Sequence, residues 1–140
     1  MISISNFKRQ HKEIEEIIKG IKNRLEANSL KTDSVKVARD LNTLAGKLRI
    51  HLRTEDNVLY PTLQEIDSIE IKRIASSFME DMTDIAETFM NYKDRFNTSA
   101  KILSSIDEFI YESNKVFGIL AERIRKEDMR LYPLLETMQS

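Results

Sequence analysis

The feature that most constrains this chain is the spacing of its apolar residues. Ile4, Phe7, Ile14, Ile18, Ile21 and Leu25 follow one another at intervals of three and four, once the histidine at position 11 is counted into the series. That spacing puts every member on one stripe of an α-helix. The helix is expected to open near Ser5 or Asn6, both good N-caps, and to run to about Asn28. A second stripe, Val37, Leu41, Leu44, Leu48, His51, Glu55 and Val58, marks a helix from Asp33 or Ser34 to about Val58, where Pro61 stops the pattern. A turn through Asp67 and Ser68 leads to a third helix, Ile69 to Phe96, with Ala75, Phe78, Met82, Ile85, Phe89, Tyr92 and Phe96 inward. After a break at Asn97-Thr98-Ser99, a fourth runs to about Asp128 and turns Ile106, Phe109, Ile110, Val116, Phe117, Leu120, Ile124 and Glu127 inward. Four helices of this length with short connections predict an all-α, antiparallel up-down-up-down four-helix bundle, one domain over residues 1–140.

Composition narrows the function classes. Only three glycines and two prolines occur, and no glycine-rich phosphate loop is present. The absence of cysteine excludes thiolate metal sites, iron–sulfur ligation and a cysteine nucleophile. Twenty-two basic against twenty-three acidic residues leave a net charge of -1, which argues against nucleic acid as a partner. No apolar run approaches a membrane span and no signal peptide is read, so a cytoplasmic protein without membrane attachment is expected.

The polar residues on the inner stripes carry the chemistry. Both histidines of the chain, His11 and His51, and two glutamates, Glu55 and Glu127, occupy core positions. His51 and Glu55 share one helix face, one turn apart. The segment His51 to Pro61 also repeats as Arg123 to Pro133, 72 residues later, with Arg, Glu, Asp, Leu, Tyr and Pro in common. Gly46 and Leu48 find Gly118 and Leu120 in the same register. Two copies of a helical ending predict a bundle with pseudo-twofold symmetry.

With these motifs the chain resembles the hemerythrin-like (HHE cation-binding) family over essentially its whole length. The matching elements are the first-helix Gln10-His11-Lys12-Glu13-Ile14, the HxxxE frame of His51 and Glu55 running into Leu59-Tyr60-Pro61, and the second frame ending Leu131-Tyr132-Pro133. The resemblance implies a four-helix bundle with a non-haem di-iron centre bridged by two carboxylates and otherwise held by histidines. It further implies oxygen binding, oxygen or redox sensing, iron handling or nitric-oxide chemistry. Carried over residue by residue, His11, His51, Glu55 and Glu127 fall on ligand positions.

Two positions depart from that pattern. Met82 stands where the third-helix histidine is expected, and Arg123 where the fourth-helix one is. A thioether is a poor ligand for oxygen-handling iron, and a guanidinium is no ligand at all. Two readings follow. In one, His11, His51 and Glu55, assisted by Glu127 and with Glu80 or Asp81 as more distant candidates, hold a single iron or zinc in a redox, oxygen or iron-related role. In the other, Arg123 pairs with Glu127 and reaches towards Glu55 as a fork, so that a guanidinium replaces the metal charge. That metal-free scaffold would act through a protein partner or self-association. No nucleophile–base pair is readable, so a binding role rather than an enzymatic one is expected. Tyr60 and Tyr132 are expected to pack at hairpin corners against Pro61 and Pro133, and Met79, Met82 and Met90 to fill core. Asp56 and Asp128, each following a stripe glutamate, face either the site or solvent.

Overall fold

A computed structural model describes residues 3–139, the side chains of 137–139 excepted. Helix α1 spans Ile4–Glu26, opened by the Ser3 hydroxyl, which accepts from the Asn6 N–H. It closes at Asn28, whose φ of 54° is left-handed, a region asparagine enters more readily than most residues. The chain reverses within residues 27–29, and α2 starts at once, Leu30–Thr54, rather than at Asp33 or Ser34. The earlier start has a physical cause. The Ser29 carbonyl already accepts from Thr32 and Asp33, and Leu30 is buried beneath the turn.

A five-residue π-helical turn, Glu55–Leu59, follows α2 and runs into α3, Tyr60–Gln64. Pro61 therefore does not end the helix. It lies in the first turn of α3, where a missing N–H leaves nothing unsatisfied. The wide turn behind it also relieves the clash a proline ring makes inside a regular α-helix. Helix α4 covers Ile69–Phe96, capped by Ser68, whose hydroxyl accepts from the Ile71 N–H. The expected fourth helix is divided: α5 spans Ser99–Ser104 and α6 Ile106–Lys126, separated at the non-helical Ser105. It also continues past Asp128, through a second π turn, Glu127–Leu131, into α7, Tyr132–Gln139. No strand occurs among the described residues, and no helix among them is long and apolar enough to cross a membrane.

The helices pack as an all-α bundle, α1 against α2 and α6, α4 against α2 and α6. Its interior has two apolar clusters. The larger holds Ile14, Ile21, Leu41, Leu44, Phe89, Phe96, Phe109 and Phe117, and the smaller holds Phe7, Leu59, Leu63, Phe78, Leu131 and Leu135. At ~1.5–3 kcal/mol for each large side chain withdrawn from water, these clusters supply most of the drive to fold. Between them lies a polar layer. His11 sits one turn after Phe7 and one before Ile14, and His51 one turn after Leu48.

Two details of the stripes depart from expectation. Val58 is exposed and Leu59 buried, because the π turn inserts one residue and moves the inward face on by one. Met79 and Met90 are exposed, and of the three helix α4 methionines only Met82 is core.

Candidate metal centre

Each polar core residue is placed by its helix. Alternation of three and four brings His11 inward from α1 and His51 from α2, while Glu55 and Glu127 open the two π turns. All four are buried, Glu55 completely. The outer ring nitrogens are tied down. His11 Nδ1–H donates to Asp128 Oδ1 at 2.9 Å, and His51 Nδ1–H donates to Gln10 Oε1 at 2.7 Å. Those bonds commit both Nδ1 atoms and aim the two Nε2 atoms into the core. Phe7 meets the His51 ring edge-on, and Tyr132 stacks on His11, which holds the rings in place.

The inner atoms converge. His11 Nε2 lies 3.0 Å from His51 Nε2 and 2.7 Å from Glu127 Oε1, and His51 Nε2 lies 3.3 Å from the same oxygen. Three lone-pair atoms at that spacing repel one another unless a proton or a cation lies among them. Ligands adjacent about an ion with bonds of ~2.1 Å stand roughly 3 Å apart, so the donor set suits a metal in both identity and spacing. His11, His51 and Glu127 are thus able to hold an ion together. Glu55 stands at the edge, its Oε2 3.4 Å from His51 Nε2. Its other oxygen, Oε1, is the one buried side-chain nitrogen or oxygen among the described residues with no hydrogen-bond partner. Of the two glutamates, Glu127 lies in the triangle with the histidines, whereas Glu55, expected beside them as the main carboxylate, stands at its edge.

Arg123 is 5% exposed and donates from Nε to Glu127 Oε2 at 3.0 Å. Its Nη2 donates to the Tyr60 hydroxyl at 2.8 Å, and its guanidinium lies over the Phe78 ring, 4.6 Å from the centroid. The expected pairing with Glu127 is present. The expected reach to Glu55 is not, because Tyr60 takes the second donor and the arginine gives each partner one bond instead of forking on a carboxylate.

The tyrosines belong to the site rather than to hairpin corners. Tyr132 Oη donates to Glu55 Oε2 at 3.1 Å and lies 3.1 Å from His11 Nε2. Each tyrosine N–H bonds the carbonyl of the glutamate five residues back. In a regular α-helix that separation would turn the ring away from the glutamate's face; the π turn brings it back. Met82 is buried on α4, whereas Glu80 and Asp81 are exposed and stand off the core.

The electrostatics of the two carboxylates diverge. Burial raises the Glu127 carboxyl, but hydrogen bonds from His11 and His51 and the charge of Arg123 outweigh it and hold the group well below the usual carboxylate range. Burial and the neighbouring Glu127 charge push Glu55 up to about 7. Burial opposes a charge on His51, yet the hydrogen bonds to Glu127 and Glu55 prevail and carry it to about 9. Tyr60 and Tyr132 are both driven far up, chiefly by burial, so each remains a neutral donor. Arg123 cancels one of two buried negative charges, which leaves one for a proton or a metal.

The family model of the Hemerythrin HHE cation binding domain matches residues 3–135, nearly the whole chain. No curated protein and no solved structure matches it at a significant level.

Proposed function

The chain belongs to the hemerythrin HHE cation-binding family, and from that premise we propose that it binds one divalent metal, iron or zinc, through His11, His51 and Glu127 with Glu55 assisting. The observation that carries this reading is the convergence of the two Nε2 atoms on Glu127 Oε1, at 2.7 to 3.3 Å, with both Nδ1 atoms already committed. Such an arrangement costs free energy unless a proton or a cation enters, and metal entry would also engage the orphaned Glu55 Oε1. One iron held by two imidazoles and carboxylate would supply open coordination positions for a small diatomic ligand. Asp128 and Gln10 orient the imidazoles, Tyr132 steadies Glu55, and Arg123 holds Glu127 ionised. A binding or sensing role in a reducing compartment such as the cytoplasm, rather than turnover, fits these duties.

A second reading is favoured by one contact. Arg123 already supplies a buried positive charge to Glu127, so the fold has a resident cation without any metal and would then act through a partner or self-association. Elemental mass spectrometry separates the two. Untagged protein, grown with iron and purified without chelators, should carry about one iron or zinc per chain. Less than about a tenth of an ion per chain would overturn the metal reading in favour of the scaffold.

A further inference from the structure

We propose that the groove between α4 and α6, outside the metal centre, is a binding site for a phosphate-class oxyanion with Arg123 at its floor. The groove is a cavity of about 170 Å³, and its polar lining consists of Arg73 and Ser77 from α4 with Asp81, and Arg123, Lys126 and Arg130 from the opposite wall. Four cations face one carboxylate. Of the nine arginines other than Arg123, four are ion-paired: Arg9 with Glu13, Arg24 with Asp33, Arg95 with Glu108 and Arg125 with Glu122. Arg73, Lys126 and Arg130 have no ion-pair partner among the described residues, although Asp81 shares their groove.

The floor is what makes this more than a charged rim. Arg123 is nineteen-twentieths buried, and its Nε and Nη2 are taken by Glu127 and Tyr60. Its Nη1 makes no hydrogen bond, and the residue lines the groove. That nitrogen reaches the groove's surface while the rest of the side chain is buried, so water screens it less than it screens a guanidinium on an exposed side chain. The Ser77 hydroxyl, also without a partner, adds a neutral donor of the kind tetrahedral oxyanions accept from. The size of the cavity suits a single anionic group rather than a polymer, and a net charge of -1 on the chain keeps long-range attraction for nucleic acid weak. The site depends on Arg123 and its neighbours and not on whether the centre beside it holds an ion.

The test is a proton–nitrogen NMR titration of the purified protein with inorganic phosphate, against sodium chloride at equal ionic strength. Phosphate should shift the Arg123 Nε–H signal saturably, with a Kd below about 1 mM. Arg73→Gln and Arg130→Gln lie on the exposed rim and leave the core untouched, and each should weaken binding at least tenfold. Glycerol 3-phosphate, run in parallel, identifies the source. Tighter binding than inorganic phosphate assigns the groove to a phosphate ester, and weaker binding to the free ion. Shifts that grow without saturating, or that chloride reproduces, would overturn the proposal. So would rim variants that bind phosphate as the parent does.

Discussion

Segments 51–61 and 123–133 follow the same backbone course, an α-helix, a π turn opened by glutamate and a second helix entered through Tyr-Pro, yet their glutamates live under opposite conditions. Glu127 receives His11, His51 and Arg123 and is held ionised. Glu55 keeps one oxygen unbonded and is pushed up to about 7. One residue accounts for much of the contrast: the position one turn before the glutamate is His51 in the first copy and Arg123 in the second. A shared scaffold fixes where carboxylates sit, and a neighbouring cation decides what charge they carry.

The comparison breaks most completely when the copies are made alike. Met82→His combined with Arg123→His should raise metal content from one ion per chain to two, read by elemental analysis. Failure to gain iron would show that these positions do not face the centre. Next in size is Arg123→Ala, which strips Glu127 of its fixed counter-charge. It should destabilise metal-free protein by ~3–5 kcal/mol, measured as a lowered urea midpoint. An unchanged midpoint would mean that the Arg123 pair contributes nothing net to stability.

Titration sharpens the contrast further. In chelator-treated protein His51 is held to about 9 against an ordinary 6.5, since its bonds to Glu127 and Glu55 outweigh burial. A raised histidine stabilises fully below pH 6.5 and loses that contribution as pH rises through 9. Glu127, depressed, contributes above its ordinary range near 4.5 and loses its contribution in acid. Glu55, raised, contributes at low pH and loses its share between 4.5 and about 7. The urea midpoint should therefore fall between pH 7 and 10, and His51→Gln should flatten that limb. The smallest effects separate the aspartates that follow each glutamate. Asp128 orients His11, so Asp128→Asn should weaken metal affinity ~10–100-fold. Asp56, its counterpart in the first copy, is exposed, and Asp56→Asn should change affinity less than about twofold.

Much of this was legible in the sequence. Intervals of three and four gave α1 and α4 nearly residue by residue, and the polar interruptions of the stripes, His11, His51, Glu55 and Glu127, are the buried polar layer. The Arg123–Glu127 pair followed from their one-turn spacing. Part of what escaped shares one cause. A π turn changes the helical period for five residues, so a reading at 3.6 residues per turn turned Val58 inward in place of Leu59 and left Tyr60 and Tyr132 at corners. The repeat held the missed signal, since both tyrosines stand five residues after a core glutamate. The roles of Gln10 and Asp128 were hidden for another reason: each is set by a partner on a different helix, which no local pattern records.

The bond from His11 to Asp128 joins residues 117 positions apart, and Tyr132 meets His11 across 121. Most of this helical fold forms through contacts near in sequence, which favours rapid assembly. The centre cannot. His11 and its supports Asp128 and Tyr132 come together only when segments more than a hundred residues apart have met, so the loop-closure cost of that separation falls on this one layer. On a ribosome, α1 would emerge with His11 long before Glu127 exists, and the half-built pocket would wait for the final helix. Loss of residues 127–132 would accordingly leave most of the bundle able to form while abolishing the place where its polar groups converge.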